Sequence, residues 1–395
     1  MKRNLKLPAL KQYEEKIYSC MRCGFCRSTC PILLKRDMEE TFSPRGRILL
    51  IRGLMSNELD PSTRLVEKIY SCTTCRHCYS TCPPRLEIDR IVEATRNQLV
   101  KLGVAPPKAH RAITSKIESE NNPFGEPKNA RARWLESEES VLPEKAEVLY
   151  WAGCMASYRT QATARATVRI LKHAGVNFTI LGKEEGCCGS FLLRTGQRDV
   201  VENKYAKVNV AKIADRGAKT VVTACAGCFR TFHDEYPEML GTLPFEVLHV
   251  SQYLEGLVKA RRIGFSKELT MKVTYHDPCH LGRHLSIYEP PRNVMNAIPG
   301  IVFSEMVKSH EESRCCGAGG GFRSAFPELS VLVAMDRLKL DVLPTSVDAV
   351  VTACPFCVKN FEDAVKRGGM RLQVLDLPEL VWKAMGIDRS LPSVA

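Results

Sequence analysis

The sequence predicts a chain of class α plus α/β: a helical N-terminal module, then two pseudo-symmetric α/β lobes. Three observations carry that prediction. A motif near the start of the chain recurs at an offset of 52 positions. A different set of motifs recurs through the rest of the chain at offsets of 125, 128 and 129. Within this second duplication, short β-branched runs alternate with segments of helical period, which is the pattern of α/β units.

The helical module spans residues 1–105. Glu15-Lys-Ile-Tyr-Ser-Cys20 returns as Glu67-Lys-Ile-Tyr-Ser-Cys72, and Ser28-Thr-Cys30-Pro31 returns as Ser80-Thr-Cys82-Pro83. Between the copies, Ser43-Pro44 has the form of an N-cap and first helical position ahead of Arg47–Ile51. Asp60-Pro61 is expected to open a second helix that ends at Tyr70. Residues 106–145 are polar and rich in turn formers (Pro106-Pro107, Asn121-Asn122-Pro123, Pro143), so they read as a connector crossing the surface.

The first lobe, 146–265, and the second, 266–395, match segment by segment. Val148–Cys154 pairs with Val273–Cys279, Gly186-Cys187-Cys188-Gly189 with Arg314-Cys315-Cys316-Gly317, and Val221–Cys225 with Val350–Cys354. In the first lobe, strands are expected over 147–150 and 219–223 and a helix over 160–174. The cysteines then fall just past the C-terminal ends of strands, where α/β folds place ligand sites.

Composition narrows the chemistry. The 395 residues are 44% hydrophobic and 26% charged, which excludes a disordered or collagen-like chain and leaves room for two or three cores. The outlier is 18 cysteines. Met1–Lys11 is basic but leads into no apolar stretch of signal-peptide length, and no apolar run is long enough to span a bilayer. A cytoplasmic chain is therefore expected, and in that compartment clustered thiols point to metal rather than to disulfides.

Spacing identifies the metal. Cys20, Cys23, Cys26 and Cys30 with Pro31 give C-x2-C-x2-C-x3-C-P, and Cys72, Cys75, Cys78 and Cys82 with Pro83 repeat it. This is the two-cluster ferredoxin run, in which the fourth cysteine of each copy ligates the other cluster. Cys20, Cys23, Cys26 and Cys82 are thus assigned to one [4Fe–4S] cube, and Cys72, Cys75, Cys78 and Cys30 to the second. Zinc sites more often set two CxxC-type pairs apart across a longer loop.

The other ten cysteines form two sets of five: Cys154, Cys187, Cys188, Cys225 and Cys228, then Cys279, Cys315, Cys316, Cys354 and Cys357. Five thiols are one too many for tetrahedral zinc or an ordinary cube. An irregular cluster with a bridging thiolate fits the excess, although spacing alone does not prove it. A cysteine followed at this distance by Cys-Cys-Gly and then CxxC resembles the CCG domain. A double ferredoxin fused to two such domains resembles the D subunit of heterodisulfide reductases and its relatives, over nearly the whole chain.

The resemblance implies one noncubane [4Fe–4S] cluster per five-cysteine set, with a disulfide bound between them. Reducing a disulfide takes two electrons and releases two thiolates; two one-electron centres facing one bond meet both needs. The ten lobe cysteines are then catalytic, and no flavin or NAD is bound by this chain. The wider family includes iron–sulfur subunits of glycolate oxidase, lactate-utilisation enzymes and anaerobic glycerol-3-phosphate dehydrogenase, in many of which one motif has lost a cysteine. Both are complete here. The alternative reading is an electron conduit for a flavin-dependent dehydrogenase of such substrates. Either role implies a partner that donates or accepts electrons (a b-type cytochrome, a flavoprotein or another iron–sulfur protein), with any membrane contact made through that partner.

Three weaker features complete the reading. Cys316-Gly317-Ala-Gly319-Gly320-Gly321-Phe322 looks like a phosphate loop, but Phe322 stands where the dinucleotide fingerprint needs glycine, so the glycines are read as admitting backbone close to a cluster. His276, His280 and His284 are spaced to share a helical face, yet Asp277-Pro278 interrupts a helix there and favours ordinary loop histidines. If one carries protons it is His280. The formal charge of +13 comes from scattered residues such as Lys2, Arg3, Lys259 and Arg261, with no nucleic-acid fingerprint. Two cubes, each about −2 with its thiolates, would bring it to roughly +9, so the basic excess is read as balancing cluster charge and attracting an anionic disulfide or partner.

Overall fold

The computed structural model describes residues 5–136 and 141–387, so Lys2 and Arg3 lie outside the described residues. The N-terminal module is helical. Pro44–Met55 starts as expected, with Ser43 accepting the Gly46 amide at its N-cap. The next helix begins later than Asp60-Pro61: Ser62 is its cap and it runs Thr63–Tyr70. Leu65, Val66, Ile69 and Tyr70 of this helix pack with Ile48, Ile51 and Leu54, and Ile88–Lys101 closes the same core with Ile91, Val92 and Leu99.

The expected connector is not a bare surface crossing. Lys108–Glu120 is a helix, with His110 and Ile117 buried, and Asn122, Arg131 and Trp134 after it are also buried. Turn formers mark the two ends of this segment correctly, but the helix between them has only two core residues, too few for a clear apolar period.

Each lobe holds a four-stranded, all-parallel sheet. In the first lobe β1 (Val148–Trp151), β2 (Phe178–Thr179), β3 (Thr220–Thr223) and β4 (Glu246–His249) lie in the order β2-β1-β3-β4. In the second, β5 (Met271–His276), β6 (Ile301–Phe303), β7 (Ala349–Thr352) and β8 (Gln373–Asp376) repeat that order as β6-β5-β7-β8. Leu149 faces Val221 in register, and Thr274 faces Val350. Of the central strands, β1 and β7 are buried along their length and β3 and β5 over their C-terminal parts, as parallel strands covered on both faces must be.

The chain reverses direction across each sheet between its two central strands. Cys154 and Cys225 follow β1 and β3, and Cys279 and Cys354 follow β5 and β7, so the cysteines flank both switch points. The lobes share one continuous core. Gln161–His173 of the first packs on Leu377–Met385 of the second, and Val250–Lys259 of the first on Glu289–Asn296 of the second.

Candidate metal centres

In the N-terminal module, Cys20, Cys23, Cys26 and Cys82 line one cavity, and Cys30, Cys72, Cys75 and Cys78 line another. Each cavity takes three cysteines from one repeat and the last from the other. Backbone amides aim at the sulfurs: Thr74 N–H donates to Cys72 Sγ at 3.4 Å and Leu86 N–H to Cys82 Sγ at 3.5 Å. Burial pushes the Cys26 thiol up to about 11, with Cys82, Cys20 and Cys30 adding like charge, and burial also raises Cys78, with Cys75 and Cys72 adding theirs. Four sulfurs held this close repel one another once ionised, and a cationic core that takes up their charge relieves the repulsion, so this donor set fits an iron–sulfur cube. Cys23 is exposed, beside Met21 and Phe25, which are 68% and 61% exposed.

The lobe cysteines gather in the same way. Cys188 Sγ lies 3.2 Å from Cys228 Sγ, and Cys316 Sγ lies 3.2 Å from Cys357 Sγ. These separations are well beyond the S–S bond of about 2.05 Å. All eighteen cysteines are free thiols. Burial lifts Cys154 to about 12, with the like charge of Cys188 adding to the effect. The glycine of each Cys-Cys-Gly is left-handed, at φ +84° for Gly189 and +83° for Gly317. A Cβ there would lie 2.7 Å from Val201 or 2.6 Å from the Ser330 carbonyl oxygen. That turn lets the Gly189 and Gly317 amides donate back to Cys187 and Cys315 Sγ at 3.4 and 3.3 Å.

The turn carrying Cys154 is clamped by Glu185, whose carboxylate accepts the amides of Ala152 and Gly153, both at 2.9 Å, and pairs with Arg131 at 2.8 Å. Both side chains are buried. Arg131 comes from residues 106–145, so that segment braces the first centre.

The four cysteine sets form one series. Cys26 and Cys30 bring the two N-terminal cavities together. At the next junction the thiols of Cys75 and Cys315 interact, and Cys315 Sγ is 3.7 Å from Thr73 Oγ1, so the second N-terminal site abuts the second lobe. Arg283 donates to the Cys75 carbonyl at 2.7 Å, and His284 Nε2 donates to that of Thr74 at 3.0 Å. Gly320 completes the joint: a Cβ on it would lie 2.7 Å from the Thr73 carbonyl carbon. The glycine run therefore serves close backbone approach. At the last junction the thiols of Cys225 and Cys354 interact across the lobes. Cysteine spacing does not reveal that the second lobe, not the first, brings its thiols to the N-terminal module. The signal for it is the glycine run, which the first lobe lacks.

His280 and His284 pack ring against ring, with centroids 5.0 Å apart, while His276 stands apart from them. His276 ends β5, His280 sits in the turn after it, and His284 lies in the short helix Gly282–Leu285. His280 is buried between the lobes, with Nδ1 3.8 Å from where a Cβ on Gly227 would sit and Nε2 without a partner. Burial holds its imidazole well below the usual range, reinforced by Arg230 and Arg194. Sequence reasoning gives His276 no separate role, yet one of its ring nitrogens, Cys316 Sγ and Cys357 Sγ all lie within 4.8 Å of one another. Among the described residues no helix is long and apolar enough to cross a membrane.

Comparison with known proteins agrees with this geometry. The family described as "4Fe-4S dicluster domain" matches residues 16–86, and the "Cysteine-rich domain" CCG matches 148–233 and 273–362. The D subunit of the dihydromethanophenazine:CoB–CoM heterodisulfide reductase of Methanosarcina barkeri is 38% identical over 389 residues, covering 94% of this chain and 95% of that one. An EtfAB:quinone oxidoreductase of Syntrophomonas wolfei is 33% identical over 93% of this chain but only 58% of its own length. A solved structure of a hypothetical protein from Helicobacter pylori superposes with a TM-score of 0.63 at 11% identity, covering 96% of this chain and 73% of that one, a likeness of fold alone. Two N-terminal cysteine cavities joined to two five-cysteine lobes, in a sequence this similar from end to end, show that the chain belongs to the family of iron–sulfur oxidoreductase subunits typified by the D subunit of heterodisulfide reductase.

Proposed function

We propose that this chain is the catalytic iron–sulfur subunit of a heterodisulfide-reductase-type complex. In this reading Cys20, Cys23, Cys26 and Cys82 hold one cube, Cys72, Cys75, Cys78 and Cys30 hold the other, and each five-cysteine set holds a noncubane [4Fe–4S] cluster. The observation that carries it is the unbroken series of sulfurs, with Cys75 against Cys315 and Cys225 against Cys354. When bound, the clusters supply one-electron chemistry and iron sites that can take a thiolate.

The rest of the work belongs to the chain's own residues. The exposed surface at Cys23, with Met21 and Phe25, is where an electron-carrying partner docks, and this partner provides any membrane contact. Arg283 and the Gly320 approach keep the second N-terminal site against the second lobe. Glu185 and Arg131 fix the loop of Cys154. An anionic disulfide is bound at the Cys225–Cys354 junction, and His280, whose Nε2 has no protein partner, is placed to offer a hydrogen bond to a released thiolate, the proton itself coming from solvent.

The test is anaerobic purification, reconstitution with iron and sulfide, and low-temperature EPR with and without added thiol, beside turnover of disulfides by a low-potential donor. A new paramagnetic species on thiol addition, together with disulfide turnover, is expected. Full iron loading with neither would leave only an electron conduit. That second reading draws its support from the resemblance to the quinone oxidoreductase of Syntrophomonas wolfei.

A further inference from the structure

Disulfide reduction consumes protons as well as electrons, and the thiols at the lobe junction, Cys225 and Cys354, are buried. When the S–S bond breaks, two electrons come from the lobe centres, and two protons form two S–H bonds as both thiols leave. The electrons have a series of sulfurs to follow. The protons need polar groups, and the interface between the lobes holds a set of them.

Asp376 ends β8 and is fully buried, and Glu379 lies one helical turn on, half-buried in Leu377–Met385. Asp376 gives Oδ1 to the Leu377 amide at 2.9 Å and keeps Oδ2 for another partner. That partner is Thr163 of the first lobe, whose hydroxyl lies 3.0 Å from Asp376 Oδ2 and 3.2 Å from Glu379 Oε1. A hydroxyl has one hydrogen, so it donates to one carboxyl and accepts from the other, which holds a proton. Taking a hydrogen from Glu379, Thr163 can hand its own to Asp376. Burial raises Asp376 well above the usual carboxylate range, with the like charges of Glu379 and Cys354 adding to the rise. Burial also pushes Glu379 up to about 7; Glu362 of Pro355–Gly368 adds to this, while Lys383 on its own helix and Arg165 on Gln161–His173 oppose it.

The set leads inward to the sulfurs. Tyr150 and Tyr275 hold matching places on β1 and β5, and the hydroxyl of each is buried with no hydrogen-bond partner. Both are within electrostatic reach of Asp376, Tyr150 being also in reach of Cys225 and Tyr275 of Cys357. The first lobe has no acid pair. After β4, His249 and Gln252 stand where Asp376 and Glu379 stand after β8, and both serve the helix end: His249 Nδ1 accepts the Ser251 amide at 3.2 Å, and Gln252 Oε1 accepts the His249 amide at 2.9 Å. Closing a helix end at this place therefore needs no second carboxyl.

We propose that Glu379, Thr163 and Asp376 are the proton inlet of the lobe junction, passing protons from water at Glu379 towards the sulfurs released between Cys225 and Cys354. The inference rests on the disulfide-reductase reading. None of the three touches the disulfide; they hold and pass a proton, and the electrons travel separately through the metal centres. Once Glu379 loses its proton the inlet has none to pass, so disulfide turnover falls as pH rises through about 7.

The experiment follows turnover of dithiodipropionate against pH by the iron-loaded full chain under anaerobic conditions, with reduced methyl viologen as donor. Thr163→Val removes the hydroxyl at nearly the same volume and should lower kcat about 100-fold, the lower end of what a placed proton donor contributes. Its fall in rate above about pH 7 should vanish, while viologen reduces its metal centres at the wild-type rate. Thr163→Ser restores the hydroxyl and should recover both the rate and the pH profile. Because Thr163→Val can fail to fold, infrared spectroscopy of the wild type provides the second measurement. A protonated-carboxyl band is expected that shifts in D2O, fades as pH rises through about 7 and is weaker in Glu379→Gln. A wild type without that band overturns the inlet, as does wild-type turnover in Thr163→Val or a loss that serine does not recover. A fully loaded wild type that reduces no disulfide sinks the inlet together with the reading it rests on.

Discussion

Arg96 joins all three parts of the molecule, and replacing it by methionine should loosen them together. Its guanidinium is fully buried. Nη1 donates to the Arg194 carbonyl of the first lobe at 2.7 Å and to the Gly320 carbonyl of the second at 2.8 Å, while Nη2 donates to the Ile69 and Cys72 carbonyls of the N-terminal module at 2.9 and 2.6 Å. Hydrogen bonds from a charged donor contribute about 1.5–3 kcal/mol each, and burying the ion costs several kcal/mol, so loss of the group should destabilise the chain by about 3–5 kcal/mol. Methionine keeps the apolar stem against Tyr70, so the loss reports the four donated bonds. The assay is guanidinium unfolding followed by tryptophan fluorescence, with trypsin sensitivity of the native chain as a second probe. Arg96→Lys should rescue little, because one ammonium cannot reach four carbonyls on three parts of the chain. A wild-type midpoint for Arg96→Met, or full recovery with lysine, would refute the reasoning.

Other outcomes follow from the same geometry. Glu185→Gln leaves Arg131 buried without its counter-charge and should cost about 3–5 kcal/mol in denaturation, with lower iron retention in the first lobe. Gly320→Val introduces a Cβ 2.7 Å from the Thr73 carbonyl carbon at φ +63°; it should part Cys75 from Cys315 and slow reduction of the lobe centres in stopped-flow, while the N-terminal centres reduce at the wild-type rate. Glu379 has its carboxyl pushed up from 4.5 to about 7 by burial, with Glu362 adding to the rise and Thr163, Lys383 and Arg165 opposing it. The folded state holds this proton more tightly than the unfolded one, so the contribution to stability is full below about pH 4.5 and is lost as pH rises through about 7. Thr163 Oγ1 is 3.0 Å from Asp376 and 3.2 Å from Glu379 and has only one hydrogen to give, in keeping with one carboxyl staying protonated. Glu379→Gln should flatten the pH dependence of the unfolding midpoint across that window.

Much of this arrangement is legible in the sequence because duplication exposes itself. The matched offsets give the two lobes, the strands at Val148–Trp151 and Thr220–Thr223 fall within a residue of expectation, and the ferredoxin spacing anticipates which cysteines share a cavity. What stays hidden is contact between parts. Lys108–Glu120 reads as loop because its buried face is only His110 and Ile117. The junction of Cys75 with Cys315 spans 240 positions and leaves no local pattern. His276 looks like one member of a histidine series, whereas a strand end and a turn send His276 and His280 to different neighbours.

The reciprocal packing of the lobes has a mechanical consequence. Gln161–His173 rests on Leu377–Met385, Val250–Lys259 rests on Glu289–Asn296, and a single core runs through both lobes. Opening the junction at Cys225 and Cys354 like a jaw would break both helix pairings at once. The lobes are therefore braced against each other as one rigid vice and not as a hinge, and parting them would strip both helix pairings of their apolar contacts in a single step.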